Sequence, residues 1–113
     1  KLILDLLILN IMADVKASVA LTADGRLQGF IGGSATNLGP VRIKTIQMQA
    51  SAADAEVKIY DNTSAAGVIK IHHKFGTADG EALVVNFDGD GVRFETAAFV
   101  DVTNCDFVVA YYN

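Results

Sequence analysis

The chain has 113 residues, 51% of them hydrophobic and 19% charged, with a formal net charge of -4. This composition excludes a disordered chain and suits one domain with a single core. One cysteine excludes an intrachain disulfide, and the acidic balance excludes a general nucleic-acid binder, which needs clustered Lys and Arg.

Residues 1–11 (KLILDLLILNI) are almost all Leu and Ile. The run is about half of what a membrane-spanning helix needs, so no membrane partner is expected. As a secretory h-region it is poor: Asp5 sits inside it, only Lys1 precedes it, and no small-residue cleavage site follows. A short buried helix, an edge strand, or an upstream in-frame extension or remnant of a truncated gene call before Met12-Ala13-Asp14 remain as readings. The division expected is an apolar N-terminal extension over 1–11 and a β domain over 12–113.

From Val15 onward, apolar and polar residues alternate in short runs broken by Asp-Gly pairs. Side chains on a strand point to opposite faces in turn, so a period of two marks half-buried strands. Asp-Gly favours tight turns, because Gly takes positive φ freely and Asp tolerates it. The pairs are Asp24-Gly25, Asp79-Gly80, Asp88-Gly89 and Asp90-Gly91. Residues 15–23 and 26–31 read as a hairpin around Asp24-Gly25, with a mixed register that suggests a bulge or longer loop. Residues 32–40 (GGSATNLGP) read as the main loop. Residues 41–49 form the next strand, whose apolar phase switches between Ile43 and Ile46 and so predicts a bulge near Thr45 or a strand that turns a corner.

Residues 51–55 are a connection with room for one helical turn, and 56–60 a short strand with Val57 and Ile59 on one face. After a loop over 61–67, residues 68–75 place Ile69, Ile71, His73 and Phe75 on one face and Lys70, His72 and Lys74 on the other. Residues 76–80 turn. Residues 81–87 and 92–102 read as a hairpin that pairs Phe87 with Val92, Val85 with Phe94 and Leu83 with Thr96. Thr103-Asn104 is a turn. The last strand, 107–112, is apolar on both faces, as suits a central or interface strand. About seven or eight short strands at this spacing suggest a β-sandwich or small barrel, and the fold expected is an all-β, single-domain antiparallel β-sandwich of jelly-roll or immunoglobulin-like type.

No catalytic constellation emerges, so the expected function is non-enzymatic, with no cofactor and no metal. His72 and His73 are neighbours, face opposite ways on a strand and cannot share a metal; the first belongs to a solvated face, the second to the edge of the core. Asp88-Gly89-Asp90-Gly91 opens like a calcium loop, but Val92 and Arg93 do not continue it, and a turn explains it. Cys105 lacks a CxxC partner and reads as an inert thiol, buried or half-buried. The serines sit in no nucleophile elbow, and glycines 29–33 do not join a strand to a helix as a phosphate loop requires. Asn62-Thr63-Ser64 matches a glycosylation sequon by pattern alone. What remains is surface. Lys70, His72 and Lys74 make a basic stripe, and Tyr60, Tyr111 and Tyr112 are aromatic anchors; these six are the candidate interface residues.

Three stretches carry a family resemblance: MADVKASVALTADGRL from Met12, VKIYDNTSAAGVIKIHHKFGTADGEAL from Val57, and GVRFETAAFVDVTNCDFVVAYY from Gly91. On these the chain resembles small virion proteins of tailed bacteriophages, especially short-tailed phages of marine bacteria. The likeness covers nearly all of 12–113 and leaves out 1–11. It implies a β-sandwich present in many copies per particle, with a capsid-decoration or other head–tail structural role. The implied partners are a capsid or tail protein lattice and further copies of the chain, in a virion assembled in the host cytoplasm. No binding residue of the family is sharp enough to place on this sequence. A small carbohydrate- or host-surface-binding β-sandwich module is the competing expectation.

Overall fold

The computed structural model describes residues 15–76 and 80–113. The extension over 1–11 and most of the turn over 76–80 lie outside the described residues. Among the described residues there are eleven strands, against the seven or eight expected: β1 (Lys16–Ala17), β2 (Gly25–Arg26), β3 (Gln28–Ile31), β4 (Ser34–Asn37), β5 (Val41–Ala50), β6 (Glu56–Asp61), β7 (Ile69–Lys74), β8 (Ala82–Asn86), β9 (Val92–Phe94), β10 (Ala98–Thr103) and β11 (Cys105–Tyr112). All pairings are antiparallel. One sheet runs β1-β11-β5-β8 with β9 also on β5, a second runs β2-β10-β6-β7, and β3-β4 form a separate hairpin.

The core draws on both sheets. Ile43, Ile46 and Met48 of β5 and Val108 of β11 join Val57 and Ile59 of β6 and Val100 of β10, each at most 1% exposed. Leu27 and Phe94 complete the same cluster at 0%. Burying such side chains is worth roughly 1.5–3 kcal/mol each. Val57 and Ile59 share the inward face as the alternation predicts.

The phase switch in β5 is a bulge. Tyr111 stands opposite Thr45 and Tyr112 opposite Ile43, so Lys44 is the extra residue. The extra residue lets Val41 and Ile43 face inward along with Ile46 and Met48. The final strand is central, flanked by β1 and β5, and Thr103-Asn104 turns with Asn104 at φ 54°.

Several expected pairings give way to longer-range ones. Residues 15–23 and 26–31 do not form a hairpin: β1 pairs β11 and β2 pairs β10. Asp24 instead accepts the Val102 amide at 2.7 Å, tying the turn to the second sheet. The stretch over 32–40 is not simply a loop. Gly32 and Gly33, at φ 61° and 82°, turn the chain so that Ser34–Asn37 pairs back on Gln28–Ile31. Two consecutive positive φ angles are what a two-residue hairpin needs, and glycine supplies both without strain. Residues 51–55 turn without a helix, with Asp54 at φ 60°. Ile69 is 41% exposed rather than inward, because a bulge opposite Ile59 and Tyr60 sets it against Tyr60 and reverses its phase.

The expected hairpin of 81–87 with 92–102 is the largest correction. β8 and β9 do not pair with each other. Both pair with β5, β8 along Thr45–Gln49 and β9 along Val41–Ile43. Phe87 still donates to the Lys44 carbonyl at 2.9 Å, so the two strands are one edge line, interrupted where residues 88–91 loop out. The chain then leaves for the second sheet as β10, which pairs β6.

Gly91 closes the loop-out at φ 83°, and a Cβ there would overlap the Ile43 carbonyl. Gly91→Ala therefore combines backbone strain with a clash and is expected to cost about 2–4 kcal/mol in urea denaturation. Gly32→Ala has open space around it, meets only the backbone penalty and is expected to cost about 1 kcal/mol. Equal losses would contradict this account of the edge.

Candidate functional site

The two sheets present different outer faces. On the second sheet, register rows bring Thr103, Glu56 and Lys74 together, then Asp101, Lys58 and His72, then Arg26, Phe99 and Tyr60. Acids and bases interleave. Glu56 takes a hydrogen bond from His72 Nε2 and lies 3.9 Å from Lys58. That His72 hydrogen bond, aided by the charges of Lys58 and Lys74, holds the Glu56 carboxyl below its usual range. Lys70 lies 3.3 Å from Asp61 and donates to the Arg93 carbonyl at 2.8 Å, bridging the edges of the two sheets.

The basic stripe is therefore divided. Lys70 and His72 are engaged within the molecule, while Lys74 lies exposed and acts on Glu56 through its charge. Tyr60 is half-buried between Phe99 and Ile69 in the register. Tyr111 is half-buried on the other sheet, and its hydroxyl donates to Gln47 Oε1 at 3.2 Å. Tyr112 is 5% exposed, with its hydroxyl against Gly29, so it is a core residue and not an exposed anchor. Its place follows from the plain alternation of β11, in which Val108, Ala110 and Tyr112 all turn inward.

The outer face of the first sheet has a different chemistry. One row is Ala17, Tyr111, Thr45 and Asn86. The next is Val109, Gln47 and Val84, and the third is Phe107, Gln49 and Ala82. No side chain in these rows is charged. Val84 is 55% exposed. Asp106 borders one end of the field, and Lys44, Arg42 and Arg93 border the other. The central patches of protein interfaces show this depletion of charge and enrichment in aromatic residues. A second apolar feature is the tip of the β3–β4 hairpin, where Phe30 and Ile31 are 60% and 58% exposed.

Part of this face was readable in advance. Thr45, Gln47 and Gln49 alternate with Ile46 and Met48 in the sequence. Its partners were not, because β8 and β11 reach β5 from distant positions.

Among the described residues, no group of three or more His, Cys, Asp or Glu side chains is placed to hold a metal ion. No helix among them is long and apolar enough to cross a membrane. Cys105 is buried, and burial, then the neighbouring Asp106 charge, push its thiol up, away from the reactive thiolate. His73 packs edge-on against Phe75 with ring centroids 4.6 Å apart. It also lines a cleft of about 240 Å³ between β7 and the β5–β8 edge, floored by Ile46, Met48, Ile71 and Val85.

No family model, curated protein or solved structure matches the chain.

Two carboxylates carry opposite pH signatures. Burial, then the Asp24 charge, raises Asp101 above the usual carboxylate range. The folded chain then holds that proton more tightly than the unfolded one. The stability this lends is present below the usual range and lost as pH rises through it. Asp61 is opposite. Desolvation would raise it, but the Thr96 and Glu95 amides, at 2.9 and 3.1 Å, together with Lys70 hold it low. Its contribution is present above the usual range and lost as pH falls. Asp101→Asn is expected to raise the melting temperature near pH 7, with the gain fading toward about pH 3. Asp61→Asn sets an NH2 group against one of the two amides and is expected to cost about 1–3 kcal/mol near neutrality, fading on acidification. Thermal denaturation at both pH values checks this; shifts of the same sign for the two variants would refute it.

Proposed function

We propose that this protein is a non-enzymatic structural component of a bacteriophage virion, a capsid decoration or other head–tail protein that acts through protein–protein contacts. The observation that carries the contact role is the uncharged outer face of β11, β5 and β8, in a chain that is 19% charged. The virion setting rests on the resemblance in the stretches from Met12, Val57 and Gly91. In this reading the two sheets are the layers of a β-sandwich of jelly-roll or immunoglobulin-like type. The protein joins the particle during assembly in the host cytoplasm, where a fold without disulfides suits a reducing medium.

The physical logic is repetition. Phe107, Val109, Tyr111 and Val84 give one copy a modest apolar contact, and the amides of Gln47, Gln49 and Asn86 add directional hydrogen bonds. Many copies on one lattice multiply weak contacts by avidity. The partner is a capsid or tail protein lattice, with contact between copies of this chain as a further use of the same face.

One observation favours a second reading, a carbohydrate- or host-surface-binding module. Tyr111 beside Gln47, with Gln49 and Asn86 in adjacent rows, is a combination of ring and amides that also suits a sugar. Binding on a glycan array with absence from purified particles would select that reading.

The test of the main proposal is co-sedimentation with purified particles. The wild-type chain is expected in the particle fraction. Val84→Glu adds a charge at an exposed position, leaves the melting temperature within about 1 °C, and weakens particle association at least about tenfold. Absence of the wild-type chain from the particles, or undiminished association of the Glu variant, would overturn the proposal.

A further inference from the structure

Of six phenylalanine and three tyrosine side chains, Phe30 alone is exposed, at 60%. It stands on the β3–β4 hairpin, whose strands pair only with each other. A lone two-stranded hairpin is marginal by itself, and this one is held at its base. The Leu38 amide and Arg26 Nε donate to the Leu27 and Leu38 carbonyls, each at 3.0 Å, and the Val19 amide donates to the Gln28 carbonyl at 2.9 Å. Beyond that base all of β4 is exposed. Gly29 faces the Tyr112 hydroxyl of the body. Side chains alternate along a strand, so Phe30 is turned the other way, with small Ala35 opposite it. The hairpin thus carries a ring outward, and residues 28–37 hold no charged side chain.

The same chain has a hole that suits this ring. A cavity of roughly 150 Å³ admits benzene, and the cleft between β7 and the β5–β8 edge has about 240 Å³. Half-buried His73, Val85 and Phe87 form its mouth, with Ile46, Met48 and Ile71 beneath. Aromatic rings and a thioether are favourable neighbours for an incoming ring. The basic groups at the rim are already engaged, Lys70 by Asp61 and His72 by Glu56, so an uncharged arm enters without breaking those pairs.

We propose that Phe30 of one copy seats in the β7–β8 cleft of another. A chain does not fill its own cleft. The arm leaves from the β1 and β2 edges of the two sheets, the cleft lies at the β8 and β7 edges, and two strands of each sheet stand between. The contact is therefore heterologous: each copy gives one arm and receives another, and copies close a ring or run on as a chain. One ring buries about 150–250 Å², well short of the roughly 1,000 Å² of a stable interface, so the contact is weak singly and gains strength by repetition. It uses neither the uncharged face nor the virion setting and is tested on the isolated full chain, so either proposal can fail alone.

The experiment labels the methyl groups of Met48, Ile71 and Val85 in the Phe30→Ser chain, which keeps the cleft and lacks the ring. Phe30 is exposed, so this variant is expected to melt within about 1 °C of wild type. Unlabelled wild type is expected to shift the labelled signals saturably, and unlabelled Phe30→Ser to leave them still. Val85→Phe, which fills the cleft from within, is expected to serve as donor but not as receiver. In sedimentation the mass of the wild type is expected to rise with concentration, and Phe30→Ser to weaken that association at least about tenfold. Absent or non-saturating shifts, or wild-type cleft signals independent of concentration, as filling from the same chain would give, would overturn the proposal. So would self-association that survives Phe30→Ser; its loss in Val84→Glu instead would move the contact between copies to the uncharged face.

Discussion

The ten-residue strand Val41–Ala50 has to keep an apolar side inward across a break in its own pattern, and the extra residue at Lys44 is how it does so. A regular strand would align Ile46 and Met48 with Arg42 rather than with Ile43 and Val41. Either two large apolar side chains would face water, at roughly 1.5–3 kcal/mol each, or an arginine would be driven into the core. One inserted residue restores the phase, since a single-residue slip exchanges the two faces of a strand. The neighbours follow suit. Against the same point β8 gives way to β9, residues 88–91 loop out, and Gly91 meets the Ile43 backbone. The pairing of inward Tyr112 with inward Ile43 and the outward position of Arg42 opposite Asn113 both follow from that one register change.

The class of fold was legible because two-residue alternation is a local property of each strand. Val57 with Ile59 came from such patterns, as did a bulge or corner in β5 and a central or interface place for β11. Pairing was less legible, because strands adjacent in sequence fall in different sheets. β5 belongs to one and β6 to the other, and the same holds for β7 and β8, β9 and β10, and β10 and β11. An Asp-Gly pair signals that the chain turns, but not whether the two flanks pair. At Asp24-Gly25 the chain moves toward the second sheet, and at Asp88–Gly91 it bulges within one edge line. The Gly32-Gly33 hairpin carried an equally good signal, masked by the small polar residues around it. The uncharged face was half visible in β5, while the rest of it needed the registers of β8 and β11, which local patterns do not contain.

The contrast between the two outer faces has an energetic meaning. Charges on the β6–β7 face are matched nearby, and exposed pairs of this kind add little stability. Their effect is to keep that face wet, since docking it would strip water from charges already paired. The β11–β5–β8 face carries no such penalty. Its aromatic and amide groups lose little on leaving water if a partner supplies hydrogen bonds for the amides.

The edges argue for face-to-face rather than edge-to-edge association. An open edge strand is a template for uncontrolled pairing, and charge, bulges and interruptions are the usual defences. β7 is an edge with Lys70, His72 and Lys74 along it and a bulge near its start. The β8–β9 edge is broken by the loop over 88–91, and the Lys70 side chain occupies the Arg93 carbonyl on its open side. Two free edges are thus blunted by different means, whereas the broad face between them is left without charge. The proposed lattice role calls for that combination, because edge pairing extends without limit, while a bounded face binds one partner in one orientation.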